Sequence, residues 1–169
     1  MLITNETSYL PSKVSPIPNG SWLVLAPHPD DETFGMGGAL LLAKAASIPV
    51  DIIFVTDGAL GGEKIGDVPK NREGESRQVT DKLGIRNVYF WKEHDRSLKP
   101  SQHLITRLSR FIKERKPSCV FFPAPSEPHP DHRATAVLAW ESLRLSGFSA
   151  TPFSYDISVQ GHSNCTEIS

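Results

Sequence analysis

The stretch Trp22-Leu23-Val24-Leu25-Ala26-Pro27-His28-Pro29-Asp30-Asp31-Glu32-Thr33-Phe34-Gly35-Met36-Gly37-Gly38 decides the fold. Its first five residues carry no charge and read as a strand buried on both faces, the kind found in parallel sheets covered by helices. Pro27 and Pro29 end the strand. With φ preset and no amide donor to lose, Pro29 is expected to open a helix running through Ala39 to Lys44. Asp30, Asp31 and Glu32 then fall in its first turn, where each acid complements the helix dipole by a few tenths to about 1 kcal/mol. Capping accounts for three carboxylates but not for His28, because packing between two prolines needs no imidazole. In a tight turn His28 and Asp31, three positions apart, can point to one side and offer nitrogen and oxygen to a zinc-like cation. Asp30 then projects beside the cation without having to bind it.

A metal site needs further ligands, and about a hundred residues later the layout recurs. The apolar run Val120-Phe121-Phe122-Pro123 leads through Ala124-Pro125-Ser126-Glu127-Pro128 into His129-Pro130-Asp131-His132, which opens the helical segment Arg133 to Leu143. Strand, proline-bracketed turn, His-Pro-Asp and helix follow in the same order as before. A lone histidine is more often a satisfied packing or surface residue than a ligand, and His94, His103 and His162 are read that way. Two His-Pro-Asp turns at two strand ends carry more weight.

The pair of motifs, His28-Pro29-Asp30-Asp31-Glu32 and His129-Pro130-Asp131-His132, resembles the LmbE-like or PIG-L-type de-N-acetylases, zinc hydrolases acting on N-acetylglucosamine conjugates. The resemblance runs from about Trp22 to Asp156. It implies an α/β, three-layer Rossmann-like domain with a mainly parallel sheet, holding Zn2+ or another divalent metal on His28, Asp31 and His132. It also implies Asp30 as general base, with His129 stabilising the oxyanion and Asp131 behind it, raising its pKa. Arg72-x-x-Glu75 followed by Leu83-Gly84 matches a family pattern in which the arginine reaches the substrate, and Asp95 sits where a family turn contacts the sugar. The chain departs from the family at Glu93-His94, where small or apolar residues are usual.

The remaining composition agrees with one α/β unit. A chain of 169 residues with 38% hydrophobic content can bury a substantial core without disulfides. Its 18 basic and 19 acidic residues are spread without long like-charge runs, so small-molecule partners are expected, with neither nucleic acid nor a membrane span. Residues 1–20, with Pro11, Pro16 and Pro18, read as an N-terminal arm without signal-peptide features, and 21–169 as a single domain. The sequons Asn5-Glu6-Thr7 and Asn164-Cys165-Thr166 are taken as chance. Cys119 and Cys165 are poor material for a disulfide and suggest a reducing, cytoplasmic setting.

Between the two motifs, Val50 to Val55 reads as a second strand ending in Thr56-Asp57-Gly58, followed by a glycine-rich loop, Ala59 to Val68, that can border a pocket. The Thr-Asp-Gly turn fits either a ligand-binding strand end or a simple turn with Asp57 capping. Arg72 to Leu83 reads as a charged helix stopped by Gly84, Asn87 to Trp91 as a third strand, and Ser101 to Lys116 as an amphipathic helix carrying Leu104, Leu108 and Ile112. Right-handed crossovers would bring both His-Pro-Asp turns to one sheet edge. Phe153 to Val159 reads as a last strand.

Family members generally continue for tens of residues beyond this point. A short version, a fragment, and a homo-oligomer completing its cleft through another subunit all stay open. Two rival functions stand beside the deacetylase: a manganese-type phosphoesterase, for which basic residues near the motifs are sparse, and a non-catalytic carbohydrate-binding or scaffold domain.

Overall fold

The computed structural model describes residues 15–60, 68–157 and 166–167. Most of the N-terminal arm, the sequon Asn5-Glu6-Thr7, the loop stretch 61–67, His162, Asn164 and Cys165 lie outside them. The order is β1 (Trp22–Ala26), α1 (Asp31–Ala45), β2 (Val50–Thr56), α2 (Val68–Leu83), β3 (Asn87–Glu93), α3 (Gln102–Arg115), β4 (Cys119–Pro123), α4 (Pro130–Ser146), β5 (Thr151–Tyr155) and β6 (Thr166–Glu167). The strands form one sheet in the order β3-β2-β1-β4-β5-β6. The first five are parallel, and β6 runs antiparallel to β5.

Side-chain alternation along the strands divides the core into two layers. Trp22, Val24, Ala26, Ile52, Phe54 and Phe121 face α1, packing on Met36, Leu40 and Ala43, with Leu83 of α2 at their edge. Leu23, Leu25, Ile53, Val55, Val120 and Phe122 face the other way, onto Leu104, Leu108 and Ile112 of α3 and Leu138 and Ala139 of α4. The three-layer, mainly parallel α/β architecture expected from the sequence is therefore present. β1 and β2 are apolar on both faces because both faces are covered. Their one charge, Asp51, is buried and satisfied by the Arg86 guanidinium at 2.8 and 2.9 Å and the Asn87 side-chain amide at 2.9 Å.

Close approach at one glycine fixes how α1 meets the far side of the sheet. Tyr155, ending β5, donates its hydroxyl to the Leu25 carbonyl at 2.7 Å, and its ring lies where a β-carbon on Gly35 would be only 2.4 Å away.

Several boundaries differ from the expectation. Pro29 does not open α1: the helix starts at Asp31, and Asp30 is its N-cap at φ 120°, with no side-chain cap bond. That backbone is rare for a residue with a β-carbon. It is held by Asp30's amide donating to Glu32 Oε2 at 3.0 Å and its carbonyl accepting from Thr33 and Phe34 at 2.9 and 3.1 Å. At the second motif the expectation holds, since Pro130 is in the first turn of α4, and His129 is its N-cap, accepting the Asp131 amide on Nδ1 at 3.2 Å. The charged helix begins at Val68 rather than Arg72, and β5 ends at Tyr155 rather than continuing to Val159.

Candidate metal-dependent active site

Sheet order builds the site. β1 and β4 are neighbours in parallel register, Trp22 opposite Cys119 and Val24 opposite Phe121, so their carboxyl ends deliver both His-Pro-Asp turns to one place. Ligands collect in this position in open α/β sheets.

At the centre lies one oxygen of Asp31. Its Oδ2 accepts from the His28 amide at 2.9 Å and stands 3.1 Å from His28 Nδ1 and 3.3 Å from His132 Nε2. Nitrogen and carboxylate ligands bound at 2.0–2.2 Å around a tetrahedral ion lie about 3.4 Å from each other, and both imidazole-to-carboxylate separations here are close to that value. His129 approaches from the open side, its ring 4.8 Å from both His28 and His132. Ring nitrogens of His28, His129 and His132 fall within 4.8 Å of one another. The donor set thus fits a divalent cation of zinc type, with imidazole and carboxylate and without thiolate.

Each central histidine is oriented by a carboxylate on its other nitrogen. His132 Nδ1 meets Glu127 Oε2 at 3.1 Å, and Glu127 Oε1 accepts the Ile157 amide at 2.6 Å. His28 Nε2 lies 3.1 Å from Asp131 Oδ2 and 3.2 Å from Asp95 Oδ1. Such carboxylate–imidazole pairs fix ring orientation and raise ligand basicity in metal sites. Sequence reasoning missed Glu127, although a buried acid five positions ahead of His132 in a proline-bracketed strand exit was a usable signal.

Asp131 requires a correction. The sequence placed it behind His129, whereas its carboxylate accepts from the Arg96 and Leu98 amides at 2.6 and 3.2 Å and from His28 Nε2. His129 takes Asp131's backbone amide instead. Nor is the His129 pKa raised: burial, then the charges of His28 and His132, outweigh Asp131 and push it below the ordinary value.

The other ionisable groups diverge for physical reasons. Burial alone would lower His28, but the hydrogen bond and charge of Asp31, with Asp95 and Asp131, raise it from 6.5 to about 9. Burial likewise opposes the shift at Asp31, yet His132 and His28 hold it well below the usual carboxylate range. For His132, burial is outweighed by Asp31 and Glu127, and its pKa rises. Asp30 moves up, through burial and then the neighbouring Asp31 charge, although Arg72 pulls it down.

An open cleft over these groups is lined by His28, Asp30, Arg72, Asp95, Arg96 and His129. Arg72 points into it from α2, 3.3 Å from Asp30 Oδ2 and 3.5 Å from the Gly58 carbonyl. Gly58, at φ 61°, leaves room for that guanidinium, since a β-carbon there would sit 2.9 Å from Arg72 Nη1. Asp95 lines the cleft with its carboxylate anchored by the Leu60 amide at 2.8 Å. His28, Asp30, Asp31, Arg72, Asp95, His129, Asp131 and His132 therefore all lie around this one end of the sheet.

The family model for GlcNAc-PI de-N-acetylase, PIG-L, matches residues 23–143, a span that takes in both His-Pro-Asp turns. The chain belongs to the PIG-L de-N-acetylase family. It is 29% identical over 132 residues to the diacetylchitobiose deacetylase of Thermococcus kodakarensis, covering 74% of this chain and 49% of that protein. It is 28% identical over 148 residues to a probable N-acetyl-alpha-D-glucosaminyl L-malate deacetylase 2 of Bacillus anthracis, covering 80% and 64%. Among solved structures, the N,N'-diacetylchitobiose deacetylase of Pyrococcus horikoshii superposes with a TM-score of 0.74 at 26% identity, covering 82% of this chain and 64% of that one. The chain spans about half to two thirds of the length of these relatives. Among its described residues no helix is long and apolar enough to cross a membrane.

Proposed function

We propose that this chain removes the acetyl group from N-acetylglucosamine-type conjugates, with a divalent cation, zinc by preference, held by His28, Asp31 and His132. The observation that carries this reading is the meeting of His28 Nδ1 and His132 Nε2 on one oxygen of Asp31, at 3.1 and 3.3 Å, beneath a cleft lined by Asp30 and His129. Membership of a de-N-acetylase family and relatives named for deacetylation of amino sugars support it.

A cation bound there supplies Lewis acidity, lowering the pKa of water towards ~7 and polarising the amide carbonyl. The chain's own groups do the rest. Asp30 reaches into the cleft from the N-cap and accepts the proton of the attacking water, its raised pKa suiting it to that task. His129, with Nδ1 occupied by the Asp131 amide and its pKa lowered, is neutral near pH 7 and carries its proton on Nε2 as a donor for the developing oxyanion. Glu127, Asp131 and Asp95 keep the two central imidazoles in place. Arg72 and Asp95 border the cleft where sugar hydroxyls would lie. A cytoplasmic location and assembly into a homo-oligomer belong to the same proposal.

Metal analysis of the purified protein, joined to an amine-release screen over N-acetylglucosamine conjugates, tests the reading. About one divalent ion per chain and amine release abolished by chelation are expected. A metal-loaded protein that releases amine from none of these conjugates, or from phosphate esters only, would overturn it.

A further inference from the structure

A second cleft adjoins the catalytic one between α1 and α2, and the two share Asp30 and Arg72. We propose that this cleft seats the substituent carried by the amino sugar, and that the preferred substituent is neutral and apolar, such as a phenyl group, rather than anionic. The inference rests on the de-N-acetylase reading for the identity of the sugar.

Three observations carry it. The walls of the cleft include Pro29, Phe34 and Val79, and Phe34, only four positions from the proposed base, is 73% exposed. An aromatic ring left in water at a cleft mouth offers a face on which an apolar group can stack, with removal of both surfaces from solvent as the driving force. Continuity is the second. Because Asp30 and Arg72 line both clefts, a conjugate with its acetamide at Asp30 can direct its substituent past Arg72 into the second cleft and onto Phe34. Charge is the third. The walls hold Asp30, Glu32 and Glu75 against the single guanidinium of Arg72, which is already paired with Asp30 at 3.3 Å. Among the described residues that line the cleft Arg72 is the one cation, so a dicarboxylate substituent would bring two more negative charges beside these carboxylates, and like charges brought together in this way discriminate against a ligand.

Calorimetric titration of the full-length, metal-loaded protein with glucosamine, its phenyl β-glycoside and its malate glycoside tests the proposal without relying on turnover. The phenyl glycoside should bind about tenfold more tightly than glucosamine, the gain expected from partial burial of one ring, and the malate glycoside no more tightly than glucosamine. Phe34→Ala should erase the tenfold preference, and Glu75→Arg should improve malate binding. Tightest binding of the malate glycoside would overturn the proposal. So would equal binding of all three, or a phenyl preference that survives Phe34→Ala. Sedimentation of Phe34→Ala is the control: a changed oligomeric state with unchanged selectivity would make Phe34 a subunit contact instead. Turnover of the N-acetylated counterparts separates this proposal from its foundation. A phenyl preference in binding with no deacetylation would remove the de-N-acetylase reading and leave the subsite, whereas deacetylation without that preference would do the reverse.

Discussion

Asp31 is 5% exposed and its Oδ2 meets two imidazoles, whereas the Asp30 side chain keeps 43% of its surface open to the cleft and meets Arg72. Adjacent acids thus face different partners and have pKa values displaced in opposite directions, as expected when one carboxylate binds and the other accepts protons. Asp31→Asn should therefore lower metal content. Asp30→Asn should keep the metal and reduce kcat by roughly 10²–10⁴-fold, the usual loss for a general base. Metal analysis beside steady-state kinetics checks both, and the assignments exchange if the effects do. The same residues set a pH dependence for the metal-free protein. His28, raised from 6.5 to about 9, contributes stability that is complete below pH 6.5 and is lost as the pH climbs through about 9. His132, also raised, adds to that loss, while His129, lowered by burial and then by the charges of His28 and His132, does not contribute in this direction. The midpoint of chemical denaturation of the chelated protein should fall between pH 6.5 and 9. A flat profile over that interval would show that the histidines are not charged partners of Asp31.

At the scale of elements, α1 contains two kinds of glycine. Gly35 leaves room for the Tyr155 ring, whose hydroxyl is anchored on Leu25, so the ring cannot retreat from a β-carbon 2.4 Å away. Gly35→Ala should cost about 1–3 kcal/mol, the range for overpacking a filled core. At Gly37 a β-carbon would meet only Thr33 Cγ2 at 4.0 Å, so Gly37→Ala should stabilise by the helix-propensity difference of about 0.5–1 kcal/mol. Urea denaturation of the two variants should move in opposite directions. The contrast also shows what a sequence discloses. Strands β1, β2 and β4 were legible because burial on both faces leaves uninterrupted apolar runs, and the site's location followed from two His-Pro-Asp turns at such strand ends. The start of α1 was not legible, because Asp30 at φ 120° is held by Glu32, and local preference alone would have put Pro29 in the helix. The partner of Asp131 was hidden for a similar reason. Its carboxylate is claimed by the Arg96 and Leu98 amides, more than thirty positions away in sequence. β6, two residues long, carries no periodic signal at all.

At the scale of the whole molecule the site acts as a clasp. His28 and Asp131 are 103 positions apart, yet the neighbouring places of β1 and β4 in the sheet bring them to 3.1 Å. A cation on His28, Asp31 and His132 would tie the β1–α1 turn to the β4–α4 turn, and the unfolded chain has no preformed site to compete for it. Binding free energy then becomes folding free energy. At a free metal concentration of 100 times Kd the native state gains about 2.7 kcal/mol. For a domain of this size that corresponds to a rise in Tm of roughly 5–10 °C. His132→Ala should lose most of this increment, because a three-ligand site tolerates little loss, and its metal-free Tm should fall as well, since Asp31 and Glu127 are left buried without that imidazole. Glu127→Gln should keep part of the increment, since the ring of His132 remains but its orienting charge is gone. Thermal unfolding of each variant with and without zinc provides the measurement. A zinc-induced rise in His132→Ala equal to that of the wild type would take His132 out of the coordination sphere. The third ligand would then have to come from His129, whose ring nitrogen lies within 4.8 Å of those of His28 and His132.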